Sequence, residues 1–358
     1  MKSFTLKERC LIGLTLFSMF FGAGNLIFPI ILGAKAGASL VPALLGMLIT
    51  AVGMPLLGIV ALGVSRSSGS MQMSGRVAKW YSYFFTCALY LTIGPFFAIP
   101  RCAATSFTMG IAPLVSGSHT VPQAIFTTLF FTAVLFFALR PNNIMNSIGK
   151  YLNPIFLICL GILVVAALLY PIQSVGSVAA SGAYADNAFS TGFLQGYDTL
   201  DALASLAFGI IVVNVIKEMG VEEPGAIAKN TIKSGIFSMV LMTVIYALIA
   251  IVGAQSYGLY ADQLGEPSFN GGNAFAIVAQ HYLGKAGMIV LALTVTFCCM
   301  KTAIGLVTAC ADTFSVMFPR SLSYRSWAIV FTAFSLLVSN IGLSKIISFS
   351  APVLYFLY

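Results

Sequence analysis

The chain has 358 residues, of which 59% are hydrophobic and only 8% charged, with a net charge of +8. Its mean hydropathy of +0.98 excludes an ordinary water-soluble globular domain and marks an integral membrane protein. The positive charge is therefore no sign of nucleic-acid binding, and what matters is where it falls.

Lys2, Lys7 and Arg9 precede an apolar run from Cys10 to Leu32. That run is too long for the core of a signal peptide and lacks a convincing cleavage site. About 20 apolar residues suffice to cross a bilayer. Inside it lies Phe20-Phe-Gly-Ala-Gly-Asn-Leu-Ile-Phe-Pro29. Each glycine costs roughly 1 kcal/mol of helix propensity, and the Asn25 amide finds no partner in hydrocarbon. Two readings stand. One is a broken helix whose freed backbone groups face a buried polar ligand. The other is close helix packing through small residues.

Further apolar segments follow at about 40–64, 80–109, 122–139, 151–171, 196–216, 232–254, 285–313, 325–343 and 345–358. With the first at 10–35 they make ten, the last cut short at Tyr358. Its 13 residues from Ile346 would rise only ~20 Å, so either the chain is a fragment or this helix is incomplete. Pro95 and Pro100 should kink the third segment. With the N-terminus inside, 13 of the 18 Lys and Arg residues fall on the cytoplasmic side and three outside, with Arg101 and Lys301 within the membrane. That asymmetry supports the topology. The stretches 172–195 and 255–284 read as long, partly structured outer loops. The seven cysteines match no metal spacing and read as small buried apolar residues. His119 and His281 fall in connecting loops.

The sixth segment, Gln195-Gly-Tyr-Asp-Thr-Leu-Asp-Ala-Leu-Ala-Ser-Leu-Ala-Phe-Gly209, again carries polar and small residues at membrane depth. Segments one and six hold the same position in two halves of five. An odd number of crossings per half inverts the second half, and matching interruptions in inverted halves point to a transporter's midplane site.

The stretch 21–29 closely resembles the bacterial branched-chain amino acid carriers of system II. So do Gly94-Pro95 with Ile99-Pro100-Arg101, Asp201-Ala-Leu-Ala-Ser-Leu-Ala-Phe-Gly-Ile-Ile, and Thr302-Ala-Ile-Gly-Leu. The resemblance runs over essentially the whole chain. It implies an all-α membrane protein of the LeuT type, a five-plus-five inverted repeat with discontinuous helices 1 and 6. The whole of 1–358 is then one transmembrane domain, with repeats at about 10–171 and 196–358. It also implies cation-coupled import of leucine, isoleucine and valine across a bacterial cytoplasmic membrane. Members usually have twelve helices.

On that reading Gly22, Ala23 and Gly24 offer N–H groups to the substrate carboxylate at a half-helix N-terminus. Carbonyls of Phe20 or Phe21, and of an unwound stretch near Ser205 and Leu206, would receive the ammonium, and Phe208 would help enclose the side chain. Asn25 either fixes the broken turn or makes an interhelical hydrogen bond. Arg101 and Asp201 are expected to pair and gate the outer vestibule, with Asp198 as a second partner, the alternative being a structural ion pair. Matching sodium-coupled LeuT-type carriers puts cation ligands near Ser18, Phe21, Cys298 and Thr302. Lys301 stands where a sodium-binding member would more readily carry threonine, so its ammonium replaces the ion or snorkels to the cytoplasm. Sodium or a proton is then the coupling ion, with no other cofactor. Two loop histidines and no nucleophile–base pair speak against an enzyme, and polarity confined to two breaks speaks against a channel. A carrier for another small neutral amino acid, such as alanine, is the alternative. The partners expected are the substrate and the lipid bilayer, with no nucleic acid and no obligate protein partner.

Overall fold

The computed structural model describes residues 5–65, 67, 69–140, 144–221 and 223–358, some by backbone alone. Among them there is no strand. The elements run α1 (Leu6–Phe20), α2 (Gly24–Ala36), α3 (Leu40–Leu48), α4 (Met54–Val64), α5 (Ser70–Ser74), α6 (Lys79–Leu91), α7 (Ala98–Ser106) and α8 (Thr120–Ala138). They continue as α9 (Ile144–Leu169), α10 (Ala183–Tyr197), α11 (Asp201–Glu218), α12 (Pro224–Gln255), α13 (Gly271–Met317), α14 (Tyr324–Ser339) and α15 (Leu343–Leu357). By length and apolarity, five stretches of described residues can each cross a membrane. A sixth is added if α14 and α15, bent by 114°, count as one. Leu57, Leu129, Ile158 and Phe356 are exposed, as lipid-facing side chains would be.

Helices start and stop where the residues demand it. Thr5 and Glu8 form a capping box at α1, the hydroxyl accepting the Glu8 N–H at 3.3 Å and the carboxylate accepting the Thr5 N–H at 2.8 Å. Between α6 and α7 the chain passes through a wide turn at Thr92–Phe96, with Gly94 non-helical and Pro95 inside it. Proline has no N–H and clashes with the preceding turn, so the expected kink is present. Two neighbours brace it. The Cys310 thiol donates to the Tyr90 carbonyl at 3.4 Å, and the Ser335 hydroxyl to that of Pro95 at 3.5 Å.

The stretches 172–195 and 255–284 carry more helix than their composition suggests. The sixth segment begins at Ala183 instead of near 196, after Gly182 in a positive-φ turn (φ +56°). Its Asp186, Asn187 and Ser190 read as loop residues and stay exposed, while α10 packs on α3 through Phe189 and Gly192. Likewise α13 starts at Gly271, where Asn270 accepts the Gly272 N–H at 2.9 Å, and changes direction at Gly284 (φ +63°).

Each broken pair lies along one other span over both of its arms. Both α1 and α2 pack on α12, while α10 packs on α3 and α11 on α4. The crossings are close enough to need glycine. A Cβ at Gly33 would overlap Ala250, and one at Gly253 would overlap Ile30. A Cβ at Gly192 would overlap Ala43, and one at Gly46 would overlap Phe189. Backbones that approach this far gain van der Waals contact, the chief attraction between helices in lipid. Gly253→Leu should therefore lower the unfolding midpoint in detergent by several degrees, overpacking costing ~1–3 kcal/mol. Gly161→Leu, where a Cβ meets nothing within 4 Å, should leave the midpoint unchanged in the same thermal-shift measurement.

Candidate functional site

The first break is three residues long, Phe21 to Ala23. Phe21 leaves the helix at φ −71°, ψ 106°, and its ring stacks on Phe17 at 4.9 Å. Asn25, in the first turn of α2, reaches back so that its Oδ1 accepts the Gly22 N–H at 2.7 Å. The N–H groups of Ala23 and Gly24 open α2 and have no acceptor within that helix.

The second break runs from Asp198 to Leu200. Leu200 has φ +69° and is the one non-glycine residue with positive φ among those described. Thr199 steadies the turn: its hydroxyl donates to the Gly196 carbonyl at 2.9 Å and accepts the Asp201 N–H at 3.4 Å. The two breaks touch. A Cβ at Gly24 would lie 3.2 Å from the Thr199 carbonyl oxygen and 3.2 Å from a guanidinium nitrogen of Arg101.

Buried polar side chains tie the breaks together. The Asn25 amide donates to Asp201 Oδ2 at 2.8 Å and also to the Tyr246 hydroxyl. Tyr246 in turn donates to the same Oδ2 at 3.2 Å. Asn25, Asp201 and Tyr246 are all buried. Arg101, on α7, donates through Nη1 to the Asp198 carbonyl at 2.6 Å and through Nη2 to that of Thr199 at 3.1 Å. Its guanidinium also lies over the Phe28 ring, 5.3 Å from the centroid. A cation at these carbonyls satisfies orphan acceptors and the negative end of the α10 dipole.

Between the breaks is a cavity of about 50 Å³, several times the ~10–15 Å³ that one water needs. Phe20, Gly22, Ala23, Gly24 and Asn25 line it from the first break, and Thr199, Leu200, Asp201 and Ala204 from the second. Ile93, Ala98, Arg101 and Cys102 close one side, Thr302 and Leu306 another.

Five of the expected residues of the first break thus line one space. Ser205 and Leu206 do not: α11 is already helical from Asp201, so the break lies earlier than Ser205 suggests. The Ser205 hydroxyl donates to the Ala202 carbonyl at 2.6 Å, and the residue packs against Gly58 of α4, as does Leu206. The expected Arg101–Asp201 contact is replaced by Arg101 on main-chain carbonyls and Asp201 on Asn25 and Tyr246, because the end of α10 offers the guanidinium two orphan acceptors. Asp198 meets Arg101 through its carbonyl, while its Oδ1 is buried with no hydrogen-bond partner among the described residues. On α13 the Cys298 thiol donates to the Phe21 carbonyl at 3.8 Å, and the Thr302 hydroxyl to the Cys298 carbonyl at 3.2 Å. Lys301 is half-buried in the same turn. The side chains of Ser18 and Phe208, and those of Lys2, Lys7, Arg66, Lys150 and Glu222, lie outside the described residues. Tyr246 and Thr199 had gone unnoticed in the sequence. A tyrosine in the middle of the apolar α12 was the available signal for the first.

Asn25→Ala leaves the Gly22 N–H unpaired and removes a donor from Asp201, whereas Tyr246→Phe removes one hydroxyl. An unsatisfied buried group costs about 1–3 kcal/mol, so N25A should destabilise the purified protein more than Y246F in thermal unfolding followed by fluorescence.

A profile of the family Branched-chain amino acid transport protein matches residues 5–358. The branched-chain amino acid permease BrnQ of Lactobacillus delbrueckii subsp. lactis is 50% identical over 99% of this chain and 79% of its own length. BrnQ of Bacillus subtilis is 42% identical over 97% of this chain and 78% of its own. The branched-chain amino acid transport system 2 carrier protein of Pseudomonas aeruginosa is 38% identical over 97% and 77%.

Proposed function

Because the chain belongs to the branched-chain amino acid transport protein family, we propose that it is a secondary carrier importing leucine, isoleucine and valine across a bacterial cytoplasmic membrane by alternating access. The observation that carries this reading is the cavity between two facing helix breaks. Non-helical backbone at membrane depth survives only against protein or a cavity, and here both breaks line the same one. The N–H groups of Ala23 and Gly24, at the positive end of α2, receive the carboxylate. Ile93, Leu200, Ala204 and Leu306 give the side chain an apolar wall. A methylene in such a wall is worth only ~1–3 kcal/mol, so the three branched substrates compete.

The five-plus-five inverted architecture belongs to the same proposal, with ten crossings and the N-terminus cytoplasmic. Its support is the packing of each broken pair along the second span of the opposite half. Arg101 joins α7 to the end of α10, which suits an outer gate that opens when those two bonds part.

For the coupling ion the residues fit sodium poorly. The Phe21 carbonyl is engaged by the Cys298 thiol, and position 301 brings an ammonium where a second hydroxyl is expected. The carrier is on this reading sodium-independent, Lys301 supplying the positive charge beside the first break, with a proton gradient as the alternative drive.

In proteoliposomes, unlabelled isoleucine and valine should displace labelled leucine at concentrations within about tenfold of leucine itself, while alanine and serine compete weakly. Internal leucine should accelerate labelled uptake by counterflow, which a channel would not show. Uptake should persist when choline replaces sodium, and Lys301→Thr should weaken it. Abolition by choline, with saturable recovery in sodium, would reject the role given to Lys301.

A further inference from the structure

Resting on the carrier reading, we propose that Asp201 recognises the α-ammonium group of the bound amino acid and so determines specificity for a zwitterion. An ammonium at this depth needs acceptors, and a pair of broken helices ordinarily offers the carbonyls at their C-terminal ends. In this chain three of those carbonyls already accept a bond. The carbonyls of Asp198 and Thr199, at the end of α10, both accept from Arg101 at 2.6 and 3.1 Å. At the end of α1 the Phe21 carbonyl accepts from the Cys298 thiol at 3.8 Å. The carboxylate that lines the cavity is that of Asp201.

Two further observations favour it. Asn25 and Tyr246 both donate to Oδ2, at 2.8 Å for the former's bond to Asp201 and 3.2 Å for the latter's. They fix the carboxylate's orientation before any ligand arrives, and preorganised groups bind more tightly for the same contacts. Arg101 also gives its two hydrogen bonds to main-chain carbonyls and not to the buried Asp201. A buried carboxylate persists as a charge when paired, and the ligand's ammonium supplies that partner. The carboxylate of the same ligand then lies toward Ala23 and Gly24, across the cavity.

The test compares leucine with 4-methylpentanoate, which keeps the carbon skeleton and carboxylate but lacks the ammonium. Affinities are measured by thermal shift and by displacement of labelled leucine from the purified, full-length carrier, so a variant that no longer transports still gives a value. The unmodified protein should strongly prefer leucine. Asp201→Asn should weaken leucine roughly 10- to 100-fold, the scale of one charge-assisted hydrogen bond, and leave 4-methylpentanoate nearly unchanged. Asp201→Glu keeps the charge but moves it by one methylene. It should retain part of the preference, and it decides the matter if the asparagine variant fails to fold. Tyr246→Phe, which leaves the charge in place, should not change the ratio of the two ligands. Equal weakening of both ligands in the Asp201 variants, or no weakening, assigns Asp201 a bracing role only and overturns the proposal. If the unmodified protein binds neither leucine nor valine, the carrier reading itself fails and takes this proposal with it, a result seen before any variant is made.

Discussion

Backbone that leaves the helix inside a membrane must find its hydrogen bonds elsewhere, and the architecture around the two breaks answers that constraint. The first break is closed by the amide of Asn25, which turns back onto Gly22. The second is closed by Arg101, which caps the end of α10 from a different span. Neither solution is local to one helix pair. Asn25 also reaches α11 and α12, and Arg101 also reaches the Phe28 ring of α2. The polar groups that make the breaks tolerable are the same groups that hold them face to face.

Small residues do the complementary work. The broken pairs sit so close to α12 and α3 that main chain meets main chain. Contacts of this kind do not depend on side-chain rotamers, so they favour each broken pair moving together with the span it lies on. Arg101 and the Cys298–Phe21 contact join those units to α7 and α13. Far fewer polar bonds need to part there than along a helix.

Much of this was legible in the residues. Asparagine beside two glycines inside an apolar run marks the first break to within a residue or two, because glycine lowers helix propensity and hydrocarbon leaves the amide without a partner. Pro95 beside Gly94 likewise fixes the kink. The second break was misplaced toward Ser205. A serine in a membrane helix can return its hydroxyl to its own preceding turn, as Ser205 does to Ala202, and so need not mark a break. Partner choice was the other loss. Charge suggests that Arg101 seeks Asp201, yet the orphan carbonyls of α10 outbid the carboxylate, and orphan carbonyls have no signature in sequence. The helical start of α10 was hidden for a related reason: its polar, exposed residues are those of a loop, and the contact with α3 that follows at Phe189 and Gly192 has no signature in sequence.

Leu200 brings one more consequence. A leucine with φ +69° sits in the left-handed region, where an L side chain carries about 1–2 kcal/mol of torsional cost. That cost is located in the second break, beside the cavity that Leu200 lines. Glycine would take the same angle at no such cost. The leucine side chain on the cavity wall is thus held at the expense of its own backbone, with Thr199 and Arg101 keeping the turn in place.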